Sequence, residues 1–324
     1  MDEQIYINIS KIIERDSKSS TYKFALLRGT IDIITENSPF IEIDKDRVAL
    51  PLGLLVEKWL LYYYPIFEAS ISIPQIHGNT QLAFEKQFRK TLITHYYKNG
   101  GYSAFYNDLR NREVDPSIKD EFISLVIKIR DTITKMPMKY IGRSISENYY
   151  SIYNYRLTRA NLSRKPLNTT TLVNELGVFT IPKNYYDAFK IIGSFISGTN
   201  SIIFNWAKFS VNMANNSLDV NTVLNEILKD PTTERNVSLS KNLYNKTLER
   251  EGNFFCVWSG KRIKRYEIDH IIPFSIWKNN DLWNLLPAQP QINSLKGNKI
   301  PSEDLLENQK ELILYYWNLL DSSV

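Results

Sequence analysis

The stretch between Cys256 and Asn298 restricts the fold of this chain more than any other. It reads Cys256-Val-Trp-Ser-Gly-Lys261, Tyr266-Glu-Ile-Asp269-His270-Ile-Ile-Pro273, Asn279-Asn-Asp-Leu-Trp-Asn284-Leu-Leu-Pro287 and Gln291-Ile-Asn293-Ser-Leu-Lys296-Gly-Asn298. Phe254 to Trp258 and Arg262 to Ile268 suit the arms of a hairpin turning at Ser259-Gly260, with Asp269 and His270 closing the second arm. Neighbouring strand residues point to opposite faces, so a loop or twist has to intervene before both side chains address one site, and Pro273 offers such a break. The turn-rich Lys278-Asn-Asn-Asp281 leads to a second apolar run, Trp283 to Pro287. Pro290 suits the first turn of a short helix in which Asn293 and Lys296, three residues apart, share a face. Strand, loop, strand and helix together gather a carboxylate, an imidazole, amides and an ammonium.

That set has a chemistry. Mg²⁺ takes oxygen ligands, one or two from protein and the rest from water and substrate phosphate. Asp269 and the side-chain oxygen of Asn293 can supply two. An imidazole titrating near neutrality suits removal of a proton from water, and a metal stabilises the departing oxygen. The combination describes hydrolysis of a phosphodiester. The same four strings, spanning roughly residues 250 to 302, resemble the HNH endonuclease family, whose fold is the ββα-metal finger. The Asp-His-Ile-x-Pro segment and the nine-residue step from Asn284 to Asn293 also resemble the HNH module of RNA-guided CRISPR nucleases. The resemblance implies Asp269 and Asn293 as ligands of Mg²⁺ or Mn²⁺ and His270 as general base. It implies that Asn284 braces the loop through backbone hydrogen bonds and that Lys296 lies near the scissile phosphate. It further implies a 5′-phosphate and a 3′-hydroxyl as products, and a place in prokaryotic restriction or anti-phage defence beside partner proteins of such a system.

Two departures bear on the metal. Many family members hold a structural zinc on paired Cys-x-x-Cys knuckles, but Cys256 is the only cysteine, and one thiolate cannot build a tetrahedral site. No structural zinc is expected. Asn293 stands where many relatives have His, which favours Mg²⁺ over zinc or nickel. Plainer readings stand beside these. An Asp-His pair in a loop is ordinarily a turn with a solvated histidine, and Asn284 and Asn293 suit turn and helix cap, although that leaves their spacing unexplained. Trp258, Trp277 and Trp283 suit the core of a small finger better than a base-stacking platform. Lys261, Arg262, Lys264 and Arg265 form the densest positive cluster; such a run commonly only solvates a surface, yet beside a phosphodiester site it can hold a nucleic-acid backbone.

Composition sets outer bounds. A chain of 324 residues has room for two domains, and 43% hydrophobic with 23% charged residues is ordinary for a globular protein. The net charge of +5 is compatible with DNA, or with RNA as second choice, without pointing to either. A single cysteine excludes an internal disulfide, Met1-Asp-Glu-Gln lacks a secretory pattern, and no apolar run reaches the ~20 residues of a bilayer span. The expectation is a cytoplasmic protein without membrane contact.

Upstream the periodicity is helical, over residues 4–15, 22–35, 52–64, 82–97, 102–109, 117–135, 184–192, 201–215, 219–228 and 238–250. Pro65 is expected to end the third of these, Leu52 to Tyr64, whose Tyr62-Tyr-Tyr64 suits core and rim packing. Phe40 to Asp44, Tyr149 to Tyr155 and Gly177 to Pro182 read as extended. His77 and His95 sit in no metal-ligand spacing and suit structural roles. Arg156, Arg159, Arg164 and Lys165 are a phosphate-contact candidate or, as the plainer reading, a solvated loop. The expected organisation is a helical domain at 1–135, a tyrosine-rich and helical middle region at 136–232 that can be continuous with it, and an HNH nuclease domain with flanking helices at 233–324. The fold class is α+β, a mostly α-helical N-terminal region followed by a C-terminal ββα-metal nuclease domain. Three functions stay open: a DNA endonuclease, an RNase of the same fold, and a non-catalytic nucleic-acid-binding or assembly subunit.

Overall fold

Ile5, Ile9, Ile12 and Ile13 fall on one face of α1 (Glu3–Glu14), and Phe24, Leu27, Ile31 and Ile34 seat α2 (Tyr22–Thr35) in the same core. The computed structural model describes residues 3–14, 16–36, 38–78, 81–142, 152–197, 202–231, 233–252, 254–277 and 280–321. It divides the chain into two units, Met1–Pro231 and Thr232–Val324, each with its own core.

In the first unit, β1 (Glu42–Ile43) and β2 (Arg47–Pro51) lead into α3 (Leu52–Glu68), which is buried on every side from Leu52 to Phe67. A helix without a polar face has to be surrounded. After it come α4 (Glu85–Phe88), a π-helical turn at Arg89–Ile93, α5 (Thr94–Tyr96), α6 (Gly101–Asn111), α7 (Lys119–Lys135) and α8 (Pro137–Tyr140). Then follow β3 (Asn154–Arg156), α9 (Thr169–Glu175), β4 (Val178–Pro182), α10 (Lys183–Ser197), α11 (Ile202–Met213) and α12 (Val220–Ile227). Elements α2, α6, α7, α9 and α12 all touch α3. The strands form one antiparallel sheet in the order β1-β2-β4-β3, so residues 42–51 and 154–182 share it and β3 is an edge.

Pro65 does not end α3. The helix runs on to Glu68, buried on every side through Phe67, and the Ala69 N–H closes the last turn on the Pro65 carbonyl at 3.0 Å. The stretch predicted as one helix from Leu82 begins at Glu85 and carries the π turn. Of the predicted Tyr149 to Tyr155 strand, residues 149–151 lie outside the described residues, and the observed strand is Asn154–Arg156. Tyr62, Tyr63 and Tyr64 are all buried; the Tyr62 hydroxyl donates to Asp32 Oδ2 at 2.5 Å, and that of Tyr63 lies 2.9 Å from Thr21 Oγ1. His95 Nε2 lies 3.2 Å from Asp115, and the His77 ring meets Phe209 edge-on.

The second unit opens with α13 (Ser238–Glu251), followed by β5 (Phe254–Phe255), β6 (Arg262–Ile263) and β7 (Glu267–His270). It continues through α14 (Phe274–Trp277), β8 (Leu285–Ala288), α15 (Pro290–Lys296) and α16 (Glu303–Asp321). The second hairpin arm is shorter than predicted. β6 leaves β5 after Ile263, the exposed Lys264-Arg265 bend redirects the chain, and β7 pairs with β8 instead, Asp269 opposite Leu286 and His270 opposite Leu285. Ile263 and Ile268 can then enter one core from two small sheets, beside Tyr244, Phe254, Leu286 and Tyr316. Trp277 departs from its predicted core place. It is 49% exposed at the end of a single-turn helix and contacts Trp283 at 5.2 Å between ring centroids. No helix among the described residues is long and apolar enough to cross a membrane.

A close helix approach in the first unit is made at a glycine. A Cβ on Gly53 would lie 2.1 Å from the Leu172 carbonyl oxygen of α9, a backbone atom held by its own helix. Gly53→Ala should therefore destabilise the chain by about 3 kcal/mol, at the upper end for overpacking. Gly29→Ala, whose tightest clash is with the tip of the Leu55 side chain, should cost less. Urea unfolding of the two variants measures the difference.

Candidate active site

Strand β7 places Glu267 and Asp269 on one face and Ile268 and His270 on the other, because side chains alternate. Helix α15 lies along the first face. Pro290 occupies its opening turn, and the face shared by Asn293 and Lys296 points at the strand. Asn293 Nδ2 donates to Glu267 Oε2 at 2.7 Å. Two residues further along the strand, the Lys296 ammonium lies 3.1 Å from Asp269 Oδ2 and donates to the His270 carbonyl at 2.7 Å. Asp269 Oδ2 also accepts from Trp258 Nε1 at 2.6 Å, and the Lys296 ammonium sits 5.4 Å from the Trp258 ring. Asp269, Lys296 and Trp258 thus form one buried cluster, with Asn293 beside it on Glu267.

Asn284 precedes β8 and is fully buried. Its Oδ1 accepts from the Ile272 N–H at 2.8 Å, its Nδ2 donates to the Ile272 carbonyl at 3.1 Å, and its carbonyl accepts from the Ile271 N–H at 2.9 Å. The loop leaving His270 is therefore fastened within two residues of the imidazole. Cys256 Sγ accepts from the Gln289 N–H at 3.2 Å and so helps to seat the start of α15.

His270 is 2% exposed, with its ring 5.5 Å from that of Phe274. Its Nε2 is buried and has no hydrogen-bond partner among the described residues. Burial above all, then the positive charges of Arg235 and Lys296, push its pKa down to about 4, against an opposing hydrogen bond to the Asn280 side chain. At neutral pH it is an uncharged imidazole with an acceptor nitrogen. Asp269, 4% exposed, is pushed up by burial, which Lys296 and the Trp258 hydrogen bond oppose. The strand keeps the imidazole and the carboxylate on opposite faces, so the twist that the sequence calls for does not arise within β7.

The oxygen donors near the cluster suit a hard cation. Asp269 is a carboxylate, and Asn293 spends its amide nitrogen on Glu267, leaving its oxygen as a ligand. Among the described residues no group of three or more His, Cys, Asp or Glu gathers as a metal cage. Lys261, Arg262, Lys264 and Arg265 are all exposed around β6. Sequence reasoning missed Trp258, Arg235 and Glu267 as neighbours of the site. Their contacts cross between segments with no local period, and only the polar atom of Trp258, which has to find an acceptor once buried, hinted at any of them.

A family model described as Domain of unknown function (DUF8808) matches residues 2–227, and one described as HNH endonuclease matches residues 256–302. No curated protein and no solved structure matches the chain.

Two measurements probe the cluster. Removing the cation by Lys296→Met leaves a buried carboxylate without its partner, so unfolding free energy should fall by about 3 kcal/mol. Adding Asp269→Asn should recover part of that loss, which a double-mutant cycle in urea reads directly. His270 supplies the second. Above pH 6.5 the imidazole is neutral in both folded and unfolded chains; below it the unfolded chain takes up a proton that the folded chain refuses until about pH 4. Stability should therefore fall as pH drops through this window, and the fall should be about 2 to 3 kcal/mol shallower in His270→Gln, checked by unfolding at stepped pH.

Proposed function

We propose, for a chain that belongs to the family described as Domain of unknown function (DUF8808) and carries a segment matching the HNH endonucleases, that it is a divalent-metal-dependent DNA endonuclease. The observation that carries the reading is the unpartnered, buried Nε2 of His270. A nitrogen with no existing partner can take up a proton without first breaking a hydrogen bond, which suits a general base. In this reading His270 is the general base that accepts a proton from the attacking water at Nε2, and because its ring lies buried across β7 from Asp269, the loop after it has to open for substrate. Asn284 keeps it in place through the Ile272 backbone. Asp269 and the Asn293 oxygen would hold Mg²⁺ or Mn²⁺, which would supply positive charge for the leaving oxygen. Trp258 and Lys296 fix the rotamer of Asp269, and Lys296 adds positive charge near the reacting phosphate. Lys261, Arg262, Lys264 and Arg265 hold the backbone of the substrate.

The antiparallel β7–β8 pair followed by α15 supports a ββα-metal arrangement for this segment. Residues 1–231, a separate unit, then serve target choice or partner docking, the division of labour that a restriction or anti-phage enzyme needs. A metal-finger site does not by itself distinguish the sugar, so RNA is the second substrate.

Plasmid DNA with Mg²⁺ or Mn²⁺ tests the reading. The wild-type chain should nick or linearise it, and His270→Ala should lower the rate by about 10³-fold while leaving duplex binding nearly unchanged. Full turnover by His270→Ala would remove the base assignment. Cleavage of labelled RNA but not DNA in parallel assays would move the chain to the second substrate.

A further inference from the structure

The charge of the first unit is unevenly placed. Residues 1–231 contain 28 Lys and Arg against 24 Asp and Glu. The segment 154–166 holds four of these cations, Arg156, Arg159, Arg164 and Lys165, and no carboxylate, so the rest of the unit is balanced at 24 of each sign. The whole excess resides in thirteen residues, of which all but Ala160 and Leu162 are exposed.

This segment is held rather than loose. Its first residues are edge strand β3, paired Asn154 to Thr180 and Arg156 to Val178. Arg47 Nη2 donates to the Ile152 carbonyl just ahead of it at 2.9 Å. Gly177 lets the chain pass at contact distance, since a Cβ there would lie 2.3 Å from the Arg156 carbonyl oxygen. Beyond the strand, the Thr158 hydroxyl donates to the Glu175 carbonyl, and the Asn161 N–H donates to Glu175 Oε2 at 2.8 Å. Arg130 on α7 reaches the Thr158 carbonyl at 3.5 Å, and Lys119 at the start of α7 reaches the Lys165 carbonyl at 2.9 Å. Glu175 pairs with Lys165 and, held by that cation and the Asn161 N–H, has its pKa pushed down. The carboxylate onto which the segment folds is thereby consumed on Lys165. The side chains of Arg156, Arg159 and Arg164 keep no ion pair among the described residues. Tyr155, 44% exposed, and Leu157 flank Arg156.

We propose that this face of the first unit is a binding surface for the phosphodiester backbone of duplex DNA. Three exposed guanidinium groups within one short, tied-down segment, without carboxylate competition, concentrate positive charge for a polyanion, and guanidinium presents paired donors that suit phosphate oxygens. A solvated loop would need neither the hydrogen bonds to Glu175 nor the glycine at 177. Because the arginines contact phosphate and not base edges, the surface gives grip without sequence preference. The choice of DNA rests on the nuclease reading above; the grip on a polyanion rests on the charge and geometry alone.

Fluorescence anisotropy of a labelled duplex with the full chain, divalent metal chelated so that nothing is cut, tests this over a salt series. The Arg156→Ala/Arg159→Ala/Arg164→Ala variant should bind about tenfold or more weakly, and its log K against log salt should be shallower by roughly 2 to 3, about 0.9 for each phosphate that is no longer neutralised. Arg156→Lys/Arg159→Lys/Arg164→Lys should keep the wild-type slope, which separates removal of charge from damage to the fold. Equal affinity and slope for wild type and the alanine variant would overturn the surface while leaving the nuclease reading standing. A wild-type chain with no salt-dependent binding to DNA would overturn both, and stronger binding of duplex RNA than of duplex DNA in competition would overturn DNA as the occupant.

Discussion

The ammonium of Lys296 joins the parts of the segment that matches the HNH endonuclease model. It brings α15 onto β7 by bonding at once to the Asp269 carboxylate and the His270 carbonyl, and Trp258 closes the arrangement from the β5–β6 hairpin side. Two ions this shielded have each given up hydration worth several kcal/mol, and their attraction offsets that only when the remaining donors and acceptors are also filled. The Trp258 N–H and the His270 carbonyl fill them. An apolar pair of similar volume would hold helix to strand at least as well, so stability alone does not explain the ion pair.

The same logic separates the two asparagines. Asn284 spends both ends of its amide on the Ile272 backbone and has become part of the scaffold. Asn293 spends only its nitrogen, on Glu267, so its oxygen is the one left to offer to a cation. Residue type alone does not distinguish them; the atoms already committed do. His270 stands apart from both, since its backbone is tied to β8 and to Lys296 while the Nε2 of its ring is left without a partner among the described residues.

Much of this was legible in the sequence, and the reasons differ from element to element. Helices α2 and α7 follow from apolar spacing over many residues, a signal strong enough to fix both ends of α2. Asp269, His270, Asn284, Asn293 and Lys296 stood out in the sequence through four spaced strings taken together; the structure sets Asn293 and Lys296 along the Asp269 face of β7 and Asn284 on the loop after His270, while the His270 ring lies on the opposite face. The split of the expected hairpin arm at Lys264-Arg265 was not legible, because a two-residue bend leaves no periodicity and β7 chooses its partner by contacts with residues some twenty positions away. Trp258 was read as core, and it is core; its N–H to Asp269 depends on a rotamer that no spacing reports. The continuation of α3 through Pro65 was missed because burial on every side holds the helix together past the proline, a tertiary effect that no local residue reports.

Buried charge serves different ends in the two units. In residues 1–231, Glu57 on α3 is fully buried, and its Oε1 takes both the Arg110 guanidinium of α6 and the Thr169 hydroxyl of α9. Its Oε2 has no hydrogen-bond partner among the described residues, yet the charge of the group is already answered by Arg110, whose own pKa is pushed up chiefly by Glu57. Such a pair holds three helices together and leaves a ligand no net charge to bind. In residues 232–324 Asp269 is likewise paired, both its oxygens lying within 3.3 Å of the Lys296 ammonium, and among the described residues His270 Nε2 and the Asn293 oxygen belong to neutral groups without such a partner. Grip on a polyanion demands the reverse, charge that is exposed and unspent on a backbone that is tied down, which is how Arg156, Arg159 and Arg164 are held.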